Sequence, residues 1–199
     1  MRLAIGLVLL ACGGSNPGSL NGTVAGHSLT VKEAIFIEIQ SQVLLVAGDH
    51  ANLCALFSGT VLPVGSGTLF EAVLAHYNGS NFIPLVPGDY ALASLGGVSE
   101  PGRYYLSEFS TTNGCDTVDA VEATNGAITL ETYEGARPEA HVKAKIALGF
   151  GSDSLQGELN ALYCQMPDAP LDGGTACERN AALGPQRLVH AAPANGTAP

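Results

Sequence analysis

One stretch near the C-terminal end constrains the fold more than any other part of the chain. Residues 141–150 read HVKAKIALGF, with an apolar side chain at every second position from Val142 onward and His141, Lys143 and Lys145 between them. Because successive side chains of a β-strand point to opposite faces, this alternation predicts a strand with one buried face. Similar alternation before and after it predicts a three-stranded antiparallel meander within residues 119–164.

The rest of the central region favours the same fold class. Short apolar runs ended by Gly, Asn, Asp or Pro recur between residues 19 and 164, and helix-period patterns are scarce. We therefore expect an all-β domain over residues 19–164, an antiparallel β-sandwich or jelly-roll-like fold. One short helix is expected near residues 49–58, with Asp49 as its N-terminal cap. Residues 165–199 are rich in Pro, Ala and Gly and are predicted to form a mostly disordered tail.

The opening segment indicates export and lipidation. Residues 3–11 have no polar side chain, a run too short to span a bilayer but typical of a signal peptide. The run ends in Leu9-Leu10-Ala11-Cys12, which resembles a bacterial lipobox, where the chain is cut before a cysteine that receives diacylglycerol.

We therefore expect a lipoprotein signal peptide at residues 1–11, lipidation of Cys12 and a flexible linker at residues 12–18. An ordinary signal peptide cut near Ala11 and a buried first strand are the alternatives. Gly13 resembles the sorting pattern of outer-membrane lipoproteins, so a lipid-anchored position in the cell envelope, at the outer membrane, is expected.

Four further cysteines belong to the predicted domain and its tail: Cys54, Cys115, Cys164 and Cys177. In an exported chain they are most simply interpreted as two disulfides, and three pairings are possible. We favour Cys54–Cys115 within the domain and Cys164–Cys177 at the start of the tail. The spacing of the cysteines and histidines does not match a zinc site, and neither a metal nor another cofactor is predicted.

The charge balance excludes one class of partner. The chain has 8 Lys and Arg residues against 18 Asp and Glu residues, a net charge of −10. Phosphate backbones would repel such a chain, so nucleic-acid binding is not expected.

No sequence motif indicates catalysis. The nucleophile elbow Gly-x-Ser-x-Gly, the zinc motif His-Glu-x-x-His and the Walker A loop are absent from the sequence. Asp49-His50 is the nearest acid–histidine pair, but adjacent side chains do not generally face each other. The chain is therefore predicted not to be an enzyme.

Two acidic clusters and one aromatic pair have simple structural interpretations. Asp168 and Asp172 lack the alternating ligands and distal Glu of an EF-hand calcium loop, so a solvated tail is favoured. A solvated loop is likewise the favoured interpretation of the cluster after Cys115, which consists of Asp116, Asp119 and Glu122. Tyr104 and Tyr105 are adjacent, and because the chain has no Trp we expect core or edge aromatics rather than a carbohydrate platform.

Several of these features together resemble a group of lipoproteins common in myxobacteria and related bacteria, for which no activity is known. Besides the lipobox, the features are GTVAG at 22–26, Leu-Cys at 53–54, PGDY at 87–90, Cys-Asp at 115–116, NGAITL at 125–130 and GFGSDSLQGELNALYC ending at 164. The resemblance implies the C-terminal meander and supports pairing Cys54 with Cys115. It implies no activity.

The predicted function is therefore that of a membrane-anchored envelope lipoprotein with a non-catalytic binding or structural role. Its expected partners are the membrane, through the lipid anchor, and an envelope protein or polysaccharide. One alternative is an extracellular carbohydrate- or protein-binding module. The other is a secreted hydrolase whose site is assembled from residues distant in sequence.

Overall fold

A computed structural model describes residues 16–61, 65–94, 97–114, 116–166 and 189. It contains one helix, α1 (Leu53–Phe57), and eleven strands within that part of the chain. The strands are β1 (Gly18–Thr23), β2 (Glu33–Ile39), β3 (Gln42–Gly48), β4 (Ser66–Tyr77), β5 (Phe82–Ile83), β6 (Gly88–Leu92), β7 (Gly102–Asn113), β8 (Asp116–Glu122), β9 (Asn125–Tyr133), β10 (His141–Phe150) and β11 (Asp153–Tyr163).

Eight of the strands form a closed barrel. Their order around the ring is β4-β3-β2-β11-β10-β9-β6-β7, and β7 pairs again with β4. The contacts β2–β11 and β6–β7 are parallel, and the others in the ring are antiparallel. The prediction of an antiparallel sandwich or jelly roll is therefore wrong, because the full-length pairing of β4 with β7 joins the strands into one mixed sheet that closes on itself.

Three strands lie outside the ring and extend its wall. β1 pairs with β11, β5 pairs with the end of β4, and β8 pairs with β7. A glycine allows β1 to approach β11 closely. Gly157 has φ +152°, and a Cβ atom there would lie 2.0 Å from the carbonyl oxygen of Ser19.

The predicted meander is confirmed. β10 pairs antiparallel with both β9 and β11. Its apolar side chains, beginning with Val142, are buried inside the barrel, while Lys143 and Lys145 lie on the exposed outer face. The interior is filled by apolar side chains from all around the ring, so the barrel encloses a hydrophobic core.

A second apolar cluster covers the outer face of β2, β3 and β4. α1 buries Leu53 and Phe57 in this cluster, and a disulfide joins Cys54 to Cys164 at the end of β11. The predicted pairings of Cys54 with Cys115 and of Cys164 with Cys177 are therefore both wrong, because Cys164 follows directly after β11, where that strand reaches the same flank as α1. Cys115 and Cys177 lie outside the described residues.

The short helix was predicted correctly, but its cap was not. The N-cap position is Asn52, which makes no side-chain capping bond, and the Glu33 carboxylate instead accepts a hydrogen bond from the Leu53 N–H at 3.0 Å. Asp49 points elsewhere, accepting hydrogen bonds from the backbone N–H and the hydroxyl of Thr68. The cap is missed because Glu33 is twenty residues away in sequence.

One residue of the predicted tail also contributes to this flank. Val189 is buried in the outer cluster, and the side chain of Gln42 pairs with its backbone. The Gln42 amide nitrogen donates to the Val189 carbonyl at 3.0 Å, and its oxygen accepts from the Val189 N–H at 2.9 Å. Gln42 thus bonds this residue much as a neighbouring strand would.

Candidate functional site

The barrel interior is a core rather than a ligand chamber. Its walls contribute mainly Leu, Ile, Val, Ala and Phe side chains that are fully or almost fully buried. Tyr105 and Ser107 add two hydroxyl groups that have no hydrogen-bond partner among the described residues. Tyr105 is completely buried, so it is the core aromatic that we expected and not a surface platform. Tyr104, on the other face of β7, donates its hydroxyl proton to the Glu100 carbonyl.

One end of the barrel is closed by aromatic and polar side chains. Phe36 packs against Tyr133 and Tyr163, with ring centroids 6.1 and 5.3 Å away. The Tyr133 hydroxyl donates to the Glu38 carboxylate, and burial, followed by this hydrogen bond, raises the pKa of Tyr133. Burial also raises the pKa of Tyr90 to about 12, while its hydroxyl donates to the Val86 carbonyl. The hydroxyls of Tyr133 and Tyr90 are both engaged within the protein, which fits a structural role in closing the barrel end.

The adjacent pair Asp49 and His50 does not form a catalytic dyad. The His50 Nε2 atom lies 3.8 Å from Asp49 Oδ1, too far for a hydrogen bond, and has no hydrogen-bond partner among the described residues. The carboxylate is already engaged by Thr68. The His50 ring packs on Gly67, where a Cβ atom would lie 1.7 Å from Nε2, so the histidine fills space beside β4.

A row of three glutamates crosses the wall formed by β4, β7 and β8. The strand register places Glu71 directly opposite Glu108, and Glu108 directly opposite Glu122. Directly opposed residues on neighbouring strands share a face and have Cβ atoms about 5 Å apart. All three residues are partly buried, and Glu71 lies between Leu69 and Val73 of the outer cluster.

The surroundings of the Glu71 carboxyl disfavour its ionisation. Burial, and then the neighbouring carboxylate of Glu108, raise the pKa of Glu71 from 4.5 to about 7. A carboxyl group with a pKa near neutrality is uncommon and marks a candidate functional position.

The last of the three glutamates, Glu122, belongs to β8, a largely exposed strand. β8 pairs with β7 and with no other described strand, so it is the last strand in the sheet order. Its residues 116–120 are exposed on both faces, and Val118 is 67 % exposed, more than any other large apolar side chain described. The cluster of Asp116, Asp119 and Glu122 was predicted to be a solvated loop and is instead this strand. The prediction was wrong because a strand paired along only one edge needs no buried apolar face.

A shallow cleft lies between β8 and the turn that follows β1. Val24 and His27 pair with each other across this turn, and Ala25 and His27 face Thr111 and Asp119 across the cleft. We call β8, together with Glu71 and Glu108, the acidic flange. Sequence reasoning missed Glu71 and Glu108, although a Glu inside the apolar run LFEAVLA was a signal that could have revealed the first.

Several predicted positions lie outside the described residues: the signal peptide and Cys12, Cys115 and Cys177, and Asp168 and Asp172. Within the described part of the chain, no helix is long and apolar enough to cross a membrane. In that same part, no group of three or more His, Cys, Asp or Glu side chains is arranged to hold a metal ion.

Comparison of the chain with protein-family models, with curated proteins and with solved structures gives no match. The resemblance to the myxobacterial lipoproteins therefore stays a prediction that depends on the motifs quoted above.

Proposed function

We propose that this chain is a lipid-anchored protein of the bacterial cell envelope, held at the outer membrane through Cys12, and that it acts by binding rather than by catalysis. Its binding surface is the acidic flange. The observation that carries the proposal is the position of β8, a strand with one unpaired edge, relative to the point where the anchor segment meets the barrel.

The anchor segment meets the barrel at β11. The Asn160 N–H donates to the Pro17 carbonyl at 2.9 Å, and the Asn160 side chain donates to the Asn16 carbonyl at 3.2 Å. Four peptide units separate Cys12 from Asn16 and span at most about 14 Å. A lipid on Cys12 would therefore hold the β11 wall close to the membrane surface.

The acidic flange lies on the opposite wall. Around the ring, β7 is four strands from β11 in either direction, and β8 extends the wall from β7. β8 thus leaves the ring at the strand that is farthest in ring order from the anchored one, and its residues 116–120 are exposed to a partner. The Asp49 carboxylate accepts hydrogen bonds from Thr68 rather than from His50. This supports a non-catalytic role for the one acid–histidine pair that the sequence suggested.

The anchor is tested by the intact mass of the protein purified from its native membrane, beside a Cys12→Ala variant. The proposal predicts a chain that starts at Cys12 and carries diacylglyceryl and acyl groups, and it predicts loss of both in the variant. An unlipidated native protein would contradict the anchor.

The binding surface is tested separately by photo-crosslinking in the native cells. A benzophenone amino acid is placed at Val118 in the acidic flange and, as a control, at Val86, which is 40 % exposed in the loop before β6. A discrete adduct is expected from position 118 and not from position 86. Equal adducts from both positions, or none from position 118, would contradict a binding role for the flange.

A further inference from the structure

The open edge of β8 has the dimensions of a strand-addition site. Seven residues, Asp116–Glu122, form the strand, and β7 is its one described neighbour. A strand that lacks a second neighbour presents backbone N–H and C=O groups that an extended segment can pair with. At about 3.3 Å per residue the edge is roughly 23 Å long, enough for a partner strand of ordinary length.

The charged residues of β8 and of the strand stretches next to it in the sheet are all acidic within the described part of the chain. β8 contains Asp116, Asp119 and Glu122, and the adjoining strands contribute Glu108 and Glu71. No Lys or Arg occurs in β8, in the β7 stretch that pairs with it (108–113), or in the β4 stretch on the far side of β7 (66–71). The partner that complements this surface is therefore basic.

We propose that the acidic flange binds an extended, Lys- or Arg-rich segment of a partner protein as an additional strand along β8. This inference rests on the proposed function and names the chemical class of the partner. Backbone hydrogen bonds along the edge supply the register, and Lys or Arg side chains on both faces of the added strand meet carboxylates of the flange.

A second copy of this chain is a poor occupant of the same edge. Pairing two β8 strands would place the acidic residues of one strand beside those of the other, and directly opposed like charges destabilise a strand pair. The same charges therefore disfavour self-association and favour a basic partner.

The test uses the oxidised full-length chain and three acetylated nine-residue peptides. The first carries adjacent pairs of Lys separated by single Val or Thr residues, so that Lys lies on both faces of the strand. The second has Glu in place of Lys, and the third keeps most of the Lys residues but has Pro at two adjacent central positions. Calorimetry is expected to show one-to-one binding of the first peptide, and amide exchange is expected to show protection of β8. The Glu and Pro peptides are expected to bind at least about tenfold more weakly than the first. The Glu peptide has the same sign of charge as the flange, and the Pro peptide lacks two of the backbone N–H groups needed for strand pairing.

A matched pair of variants locates the site. Asp116→Asn with Asp119→Asn removes two charges from the acidic flange, and Glu139→Gln with Glu158→Gln removes two exposed charges elsewhere on the barrel. The first variant is expected to weaken binding of the Lys peptide on the order of fivefold. The second is expected to change the dissociation constant less than about twofold.

Four results would overturn the inference: no binding of the Lys peptide, equal binding of the Pro peptide, equal effects of the two double variants, or a dimer that covers β8. Equal binding of the Pro peptide would identify unspecific charge attraction, and a concentration-dependent dimer that protects β8 would identify a second copy as the occupant. A crosslink from Val118 in cells without binding of the Lys peptide would contradict the partner class and leave the proposed function standing. Binding of the Lys peptide without a crosslink in cells would contradict the proposed function instead.

Discussion

Replacing Glu71 with Gln should stabilise the protein above neutral pH. The Glu71 carboxyl has a pKa of about 7 in the folded chain and an ordinary value of 4.5, with burial as the larger cause and Glu108 as the smaller. Between these values the folded protein keeps a proton that the unfolded chain has lost. The free energy of unfolding therefore falls as pH rises from about 4.5 to about 7, and the whole penalty is present above pH 7.

The size of the penalty follows from the same two values. A tenfold change in proton affinity corresponds to about 1.4 kcal/mol, so the rise from 4.5 to about 7 corresponds to roughly 3 kcal/mol. Glu71→Gln keeps the shape of the side chain and removes the ionisation, so the variant should gain up to about 3 kcal/mol at pH 8 and little at pH 4.5.

Urea unfolding of the oxidised protein at a series of pH values between 4.5 and 8.5 measures this effect. Glu108→Gln should remove only part of the pH dependence, because burial is the larger cause of the raised pKa. Glu158→Gln, an exposed change on the β11 wall, should leave the pH dependence intact. Two results would refute the burial of this carboxyl. One is a free energy of unfolding of the parent protein that does not fall between pH 5 and 8, and the other is a Glu71→Gln variant that is less stable than the parent at pH 8.

Three further variants test how the barrel is held together. Replacing Cys54 and Cys164 with Ser opens a disulfide that spans 110 residues, and urea unfolding should show a loss of about 4–5 kcal/mol by the chain-entropy estimate; a loss under about 1 kcal/mol would contradict the pairing. Gly157→Ala places a methyl group 2.0 Å from a carbonyl oxygen of β1, so amide exchange in β1 should accelerate while β10 stays protected, and unchanged exchange in β1 would contradict this contact. Gln42→Leu leaves the Val189 N–H and C=O without their partners; we expect a loss of about 1–3 kcal/mol in urea unfolding, and an unchanged midpoint would show that the Gln42–Val189 contact does not matter.

Local sequence patterns predicted local structure correctly. The alternation from His141 to Phe150 identifies β10 and its buried face, because the period of two is a property of a single strand. The helix Leu53–Phe57 lies within the predicted range 49–58, because a short helix is also specified by residues that are close in sequence. The barrel was not predicted, because its closure depends on contacts such as β4–β7 and the short parallel contact of Leu162 and Tyr163 with Ile35 and Phe36, between segments far apart in sequence.

The candidate site was harder to predict for physical reasons. Asp116 and Asp119 belong to a strand that needs no buried face, so their polarity indicated a loop. Glu71 could have been noticed inside its apolar run, but the carboxylate of Glu108 is brought opposite to it only by the strand register. The pairing of Cys54 with Cys164 is one of several that cysteine counting allows, and composition cannot choose among them.

Amide hydrogen exchange along β8, followed by NMR in the full-length chain, tests the central claim most directly. Over Asp116–Glu122, an open edge predicts that amides pointing toward β7 exchange slowly and those pointing away exchange fast, with the alternation broken at the irregularity opposite Thr111 and Thr112. The Ala120 N–H donates to the Asp119 side chain and is left out of this comparison. Addition of the Lys peptide should then slow the fast set. Slow exchange at every β8 amide in the unliganded protein would show that the edge is already covered, and it would contradict the proposed binding surface.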